Sequence, residues 1–347
     1  MMDHYPIFEN HFLDEVECEF DSYYFANSNK NKTLLITGAG TIGNALLDEI
    51  VNTNTKVVVL DNSEISLFKL KVKFGNSRNL TLVLCSLIDK KRVKYIIKKY
   101  KPNIIIHTAA YKHVSLLEDN VYESIRTNIE GTNNLFIAAK NNNIEQFIYV
   151  STDKAVQPIN NMGKTKKIAE MYLESFIDKP FPAIKIIRFG NVINSSGSLI
   201  PTVEKQIKNN IDVVVRGKDT KRYFIFSSIV SKSILKLLDF KESGFYLINM
   251  RKPIKILNLV EEIILRYNRS IDQITISNLG VGEKEVEELL NVNEKIINTR
   301  HRELSEIKGV NYNTNIEVIN KLIKLNKKQE VKKVKKLLDT IIFESIG

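Results

Sequence analysis

The sequence predicts an α/β fold, a doubly wound parallel sheet with a smaller C-terminal lobe, and three observations lead there. First, short apolar and β-branched runs, TLLIT, KVVVL, LTLVLC, NIIIH and QFIYVS, recur from residue 33 onward. Second, each run is followed by a stretch with helical periodicity, the alternation expected of a parallel sheet covered on both faces. Third, a glycine turn follows the first run and opens a helix, the arrangement of a Rossmann-type sheet.

Taken in order, residues 1–31 form an N-terminal arm, with seven acids and no Lys or Arg in its first 29 positions. Residues 32–195 form the dinucleotide-binding domain. Its strands are the five runs above and AIKIIRFGNV, which follows a helix beginning near Met162. Residues 196–310, where GSLIP, VVVRG and ITISNLGVGEK break the rhythm, are mainly a substrate-binding lobe, with segments returning to the first domain. Residues 311–347 are an amphipathic helical extension. There Val331, Val334, Leu338 and Ile341 recur at helical spacing, and the lysines of NKKQEVKKVKKLLDTII form a solvated face.

Composition narrows the classes. With 347 residues and 43% hydrophobic content the chain can bury a sizeable core. No apolar run reaches the roughly 18 residues that span a bilayer, and the start lacks a signal-peptide layout, so a soluble, cytoplasmic protein is expected. Cys18 and Cys85 have no CxxC or Cys/His spacing, so no disulfide or metal site is expected. The net charge of +11 has no basic stripe with interleaved aromatics, which argues against nucleic acid as a partner.

In LLITGAGTIGNALLDEI the three glycines Gly38, Gly40 and Gly43 are spaced GxGxxG, with Thr41 and Ile42 at the start of the helix. That spacing allows a tight turn, close approach of backbone to a pyrophosphate, and close helix packing. A second strand, KVVVLD, ends in Asp61, about 20 residues on, where a carboxylate accepts hydrogen bonds from ribose hydroxyls. It would repel a 2′-phosphate, which favours NAD over NADP. The plain alternative is a strand-to-helix turn with no ligand.

At HTAAYKHVSLLEDN, TNIEGTNNL, STDKAVQPINNMGKTKKIAE, RFGNVINSSGSLIP and VGEKEVEEL the sequence resembles the nucleotide-sugar 4,6-dehydratases of the extended short-chain dehydrogenase/reductase superfamily. The nearest branch is the polysaccharide-biosynthesis group acting on UDP-N-acetylglucosamine, and the resemblance runs from about residue 33 to about 300. It implies a soluble, NAD-dependent lyase. Hydride leaves C4 of the sugar, water is lost from C5 and C6, and the hydride returns to C6, giving a 4-keto-6-deoxy sugar. It also implies a homodimer or higher homo-oligomer, since related enzymes pack the helices at about 118–140 and 162–178 into a dimer's four-helix bundle.

Met162 occupies the slot where short-chain dehydrogenases carry a catalytic Tyr, four residues before Lys166. Its thioether has no proton to exchange. A subgroup of the dehydratases looks the same, and there the resemblance gives Lys166 the nicotinamide ribose and leaves Met162 passive. By the same resemblance Asp153 is the general acid, Lys154 the general base, and Thr152 hydrogen-bonds the C4 oxygen. These three stand at the carboxyl end of a parallel strand, where open α/β sheets build their sites. A salt-bridged Asp-Lys at a strand end is the plain alternative.

The remaining blocks place Ala109, Ala110, Tyr111 and Asn128 at the cofactor, with Asn128 and Thr132 tying helix to sheet. Lys112 and His113 come near the sugar, and His113 has no acid/base role. Asn191 touches the diphosphate or acetamido sugar, Ser198 and the backbone around Ile200 face the base, and Arg222 clamps a phosphate. Glu283 belongs to the substrate set. Three departures stand out. TGAGTIG is one residue shorter than the usual glycine loop, Ser86 replaces an adenine-contacting Asp, and GVGEK at Gly280 to Lys284 lacks the Arg that relatives aim at the diphosphate. Arg251 or Lys252 can compensate for the last. A nucleotide-sugar 4-epimerase and a catalytically silent nucleotide-binding scaffold are the other functions compatible with these residues.

Overall fold

The computed structural model describes residues 18–75, 77–179, 181–312 and 314–346; residues 1–17 of the N-terminal arm lie outside them. In the first half, strand and helix alternate. The order is β1 (Thr33–Thr37), α1 (Thr41–Ile50), β2 (Lys56–Asp61), α2 (Glu64–Phe74), β3 (Leu80–Leu84), α3 (Lys90–Tyr100), β4 (Ile104–His107), α4 (Gly131–Lys140), β5 (Gln146–Val150), α5 (Asn161–Glu174) and β6 (Ala183–Arg188). Ahead of α4 run a short helix, Val121–Ile125, and one π-type turn, Arg126–Glu130. The second half adds α6 (Leu199–Lys208), α7 (Ser227–Lys236), β7 (Gly244–Ile248), α8 (Ile256–Arg266), β8 (Lys295–Asn298), β9 (Leu304–Lys308), α9 (Ile316–Lys327) and α10 (Val331–Ile346).

The main sheet has nine strands in the order β8-β9-β7-β6-β5-β4-β1-β2-β3. β1 to β7 are parallel, and β9 and β8 close one edge antiparallel. The order reverses between β1 and β4, the switch point of the doubly wound fold the sequence predicted. Successive side chains of a strand face opposite ways, which explains why the runs are apolar throughout. Leu35, Val58, Ile105, Phe147 and Ile186 belong to the core on one face. Leu34, Ile36, Val57, Val59, Ile106 and Ile148 belong to the core on the other.

The helices follow from amphipathic spacing. In α3, KKRVKYIIKKY, Val93, Ile96 and Ile97 are buried while Asp89 caps the start by accepting from the Arg92 amide at 2.9 Å. A third apolar cluster, with Ile200, Val203, Val213, Leu259 and Ile263, sits between α6 and α8. A two-stranded pairing of Val213–Arg216 with Ile274–Ser277 adjoins it. Residues 196–310 are therefore shared, because β7, β8 and β9 return to the main sheet.

Two terminal segments are more firmly packed than amphipathic patterning alone suggests. Ser22–Ser28 is a helix capped by Asp21, and Phe25 on it is buried against the sheet's second core. Of the four apolar residues read from the tail, Val334, Leu338 and Ile341 are buried, whereas Val331, the first residue of α10, is 45% exposed. Both cysteines are buried and unpaired. Among the described residues no helix is long and apolar enough to cross a membrane, and no group of His, Cys, Asp or Glu is placed to hold a metal.

Lys185 is a charged residue on a fully buried strand position, and its ammonium accounts for all three protons. It donates to Gln146 Oε1 at 2.6 Å, to the Leu237 carbonyl at 2.7 Å and to the Phe240 carbonyl. Replacement by Met keeps the volume but removes the ammonium donor from the Phe240 carbonyl and from Gln146 Oε1, while the Leu237 carbonyl keeps only the Phe240 amide at 3.2 Å. Lys185→Met is expected to lower unfolding free energy by about 1–3 kcal/mol, read as a lower urea midpoint at unchanged slope. An unshifted midpoint would show that the contacts contribute nothing net.

Candidate active site

The glycine turn between β1 and α1 is built by close contacts. Gly38 has φ +94°, and a Cβ there would stand 2.7 Å from Thr108 Oγ1 and 2.9 Å from the Ala109 nitrogen. A Cβ on Gly43 would lie 1.9 Å from the Gly38 carbonyl oxygen, so α1 starts where it does only because residue 43 is Gly. Gly40 differs: a Cβ there would meet no atom within 4 Å. Protein packing does not demand that glycine, and the space beside it is open at the uncapped start of a helix.

Asp61 at the end of β2 braces this turn. Its Oδ2 accepts from the Ala39 amide at 2.6 Å and its Oδ1 from the Ser63 amide at 2.6 Å. Thr41 Oγ1 accepts from the Ser196 amide at 3.3 Å, which brings the segment after β6 over the glycine turn. In the same segment Gly197, at φ +68°, has the His113 ring against it, 2.6 Å from where a Cβ would be. Ile42 is half-buried and packs on the second core.

Beneath the turn, β4 ends in a fixed polar chain. Thr132 Oγ1 donates to the Asn128 carbonyl at 2.8 Å and so accepts from His107 Nε2 at 2.9 Å, while Thr37 Oγ1 donates to Nδ1 at 2.7 Å. Burial, aided by Lys166, pushes the His107 pKa down to about 3 and keeps this ring neutral. The Asn128 amide is engaged on both sides, accepting from the Tyr111 amide at 2.8 Å and donating to the Tyr111 carbonyl at 3.0 Å and to Thr165 Oγ1 at 3.1 Å. It thus holds the Ala109–Ala110–Tyr111 segment onto α5. Lys112 and His113 follow at the exposed mouth.

At the end of β5 the three candidates Thr152, Asp153 and Lys154 form one bonded group. Thr152 Oγ1 donates to Asp153 Oδ1 at 2.8 Å, and Lys154 Nζ donates to the same oxygen at 3.1 Å. Lys154 Nζ also donates to Asn191 Oδ1 at 3.2 Å and lies 3.7 Å from Glu287 Oε1. Asp153 is fully buried, yet its Oδ2 has no partner among the described residues; neither does the Ser151 hydroxyl. Native proteins rarely leave such atoms unpaired without a reason.

The start of α5 is pressed onto this group. A Cβ on Gly163 would stand 2.2 Å from the Lys154 carbonyl oxygen, and Asn160 caps the helix through the Gly163 amide at 2.7 Å. Met162 beside it is buried, and its carbonyl accepts from Thr165 Oγ1 at 2.8 Å. One turn on, Lys166 Nζ donates to the Val150 carbonyl at 2.6 Å and lies 4.0 Å from the Tyr149 ring centroid. Burial pushes its pKa down to about 7 against the opposing pull of Glu170.

The other expected substrate contacts separate. Arg222 donates to the carbonyls of Lys221, Lys284 and Glu285, with its Nε 4.0 Å from Glu287, so its guanidinium holds the 284–287 segment. Glu283 accepts from the Gly280 amide at 2.9 Å and pairs with Arg216 at 3.1 Å, closing its own turn. The Ile200 side chain is in the lobe core, while the Ser198 hydroxyl is buried without a partner among the described residues. The GVGEK segment nevertheless reaches the site, since Asn160 Nδ2 donates to the Gly282 carbonyl at 2.8 Å and Lys284 Nζ to the Val156 carbonyl at 2.9 Å. Sequence reasoning missed Glu287 and the packing role of Gly163. One Glu in an acid-rich run carries no signal, whereas a Gly in the first turn of a helix does.

Known proteins resemble this chain over most of its length. Residues 34–309 match the family described as polysaccharide biosynthesis protein. The chain is 36% identical over 286 residues to the capsular polysaccharide biosynthesis protein CapD of Staphylococcus aureus, covering 80% of this chain and 48% of that one. The chain thus spans about half the length of that relative. It is 29% identical to a UDP-glucose 4-epimerase of Rickettsia massiliae, over 76% of this chain and 79% of the other. Among solved structures, Pen from Bacillus thuringiensis superposes with a TM-score of 0.73 at 28% identity, covering 80% of this chain and 89% of that one. With most of its length matched, the chain belongs to the polysaccharide biosynthesis protein family.

Proposed function

We propose that this chain is an NAD-dependent 4,6-dehydratase of a UDP-N-acetylhexosamine, most simply UDP-N-acetylglucosamine, yielding the 4-keto-6-deoxy sugar for surface-glycan or deoxyamino-sugar synthesis. The observation that carries the reading is the unpartnered, fully buried Asp153 Oδ2 beside Lys154. Oδ1 is held by Thr152 and Lys154; Oδ2 has no partner among the described residues and is shielded from solvent, so the carboxyl meets a substrate only when the turn at the end of β5 shifts.

The residues present fit a dinucleotide. Gly40 leaves open space at a helix start, and Asp61, braced on two amides, ends the second strand. Ala109 to Tyr111 are held beside the turn by Asn128. NAD rather than NADP suits the Asp61 carboxylate. When bound, NAD supplies the chemistry of accepting the C4 hydride and returning it to C6. The chain's own groups do the proton work. Lys154 takes the C5 proton, and Asp153 gives its proton to the C6 hydroxyl as the C6–O bond breaks and water leaves; a proton returns to C5 as the hydride reaches C6. Thr152 hydrogen-bonds the C4 oxygen, and with an ordered water carries its proton away. Lys166 orients the nicotinamide ribose and supplies positive charge. Asn191, tied to Lys154, and Lys112 and His113 at the mouth line the sugar and diphosphate side, with Ser198 beyond them. Arg222 and Glu283 support this side by holding the 280–287 segment.

A 4-epimerase is the second reading, favoured by the Rickettsia relative. It uses the same hydride step without needing the Asp153–Lys154 pair. Incubation with UDP-N-acetylglucosamine separates the two by mass and NMR. Loss of about 18 mass units is expected, an unchanged mass with a galacto product would establish the epimerase, and no turnover of any nucleotide sugar would leave a binding scaffold.

Asp153→Asn and Lys154→Ala are each expected to slow dehydration by about a hundredfold or more, and near-wild-type rates in both would overturn the assignment. Thr152→Val should stop reduction of bound NAD, read by absorbance, and Met162→Ala should be far milder. The pKa of Lys166 is lowered, so its ammonium is present below about pH 7 and is lost as pH rises through that value. The kcat/KM profile is therefore expected to fall on the alkaline side near pH 7. Lys166→Arg, which does not titrate there, should remove that limb. A limb that persists belongs to another group.

A further inference from the structure

The resemblance sets the helices at about 118–140 and 162–178 in a four-helix bundle made by two chains. Here that surface is already covered by the chain's own C-terminal segment. α9 and α10, joined by a three-residue turn, fold back over α5 and the Val121–Ile125 helix. Ile319, Leu322, Ile323, Val334, Leu338 and Ile342 join one apolar cluster with Val121, Ile125, Ile168 and Tyr172. The edges are sealed by polar pairs: Lys327 to Glu130 at 2.6 Å, Lys164 to Asp339 at 2.7 Å, and Asn326 Nδ2 donating to the Tyr122 carbonyl at 3.0 Å.

Burial around α5 shows how complete the cover is. Every residue from Asn161 to Leu173 except Lys164 is buried. A helix lying on one face of a sheet buries a stripe and leaves its outer side to solvent or to a partner. The outer side of this helix has its partner within the same chain.

We propose that the C-terminal hairpin is an internal substitute for a second copy: it closes the four-helix bundle within one chain, so this face does not form a homodimer interface. Self-association, where it occurs, uses another surface. The inference rests on packing alone and stands whether or not the proposed reaction is right.

Carbodiimide treatment of the full-length protein tests it, because it joins touching amine and carboxylate groups by an amide with loss of one water. Mass spectrometry should find the Lys164–Asp339 peptide pair in the band of single-chain mass on a denaturing gel. In protein co-refolded from ¹⁴N- and ¹⁵N-labelled chains the pair should carry one isotope only. Mixed-isotope pairs, or the pair confined to a band of double mass, would overturn the proposal by showing that the hairpin covers a neighbour. Full-length Leu338→Asp, which lifts α10, should raise the sedimentation mass about twofold or more by exposing α5. A folded variant that keeps the wild-type mass would show that the hairpin hides no self-associating face.

Discussion

The structure depends on the burial of α5, a helix that carries Lys166, Lys167 and Glu170 into the interior. Unpaired charges there are costly: Glu170 is matched by Arg188, while burial lowers the pKa of both lysines. Glu170 takes a two-pronged contact from Arg188 at 2.8 and 2.7 Å, and Arg188 reaches on to Glu294 at 2.7 Å and to the Tyr312 hydroxyl. Lys167 lies 3.8 Å from the Tyr312 ring centroid, as Lys166 lies over Tyr149. Such a network adds little net stability over an apolar core, but it admits one arrangement. It joins β6, α5, the segment before β8 and the segment before α9. The helix that carries Lys166 is thereby locked in rotation and height against the end of β5.

That lock links the periphery to the site. The depressed pKa of Lys166 is caused first by its burial against the end of β5. Glu170, which pulls the other way, is itself committed to Arg188. The charge on Lys166 is therefore set by its burial and by Glu170, which Arg188 holds in place. The same holds at the Thr152–Lys154 turn, where Gly163 lets the helix start approach the Lys154 backbone and Arg222 keeps the Glu287 segment beside the Lys154 amine.

Local features of this kind were legible in the sequence, and long-range pairings were not. The strands stood out because parallel strands buried on both faces need unbroken apolar runs. The glycine turn and Asp61 stood out because backbone geometry restricts what those positions hold. Thr152, Asp153 and Lys154 are adjacent, so their bonded group was foreseeable. Asn128 was read as lying at the cofactor as well as tying helix to sheet. Its amide bonds are all to Tyr111 and Thr165, which only the fold brings near it. Arg222 looked like a phosphate clamp because a guanidinium suits oxyanions; its guanidinium donates to the neighbouring Lys221 carbonyl and to the Lys284 and Glu285 carbonyls, and the last two are contacts that only the fold reveals. The amphipathic tail announced that it would cover something, and its sequence does not say what.

Met162 is where these constraints meet. A side chain that cannot exchange protons is tolerable only if nothing else relied on the residue in that slot. The backbone there is held without it: Thr165 donates to the Met162 carbonyl, Asn128 donates to Thr165, and Asn160 caps the turn. Lys166 is placed by the Val150 carbonyl and the Tyr149 ring, again with no help from position 162. What a Tyr would have added is confined to its proton, since a buried thioether fills volume as well as an aromatic edge does. In the proposed reaction that proton passes to the group at the end of β5. There Asp153 is held through one oxygen, and the other has no partner among the described residues.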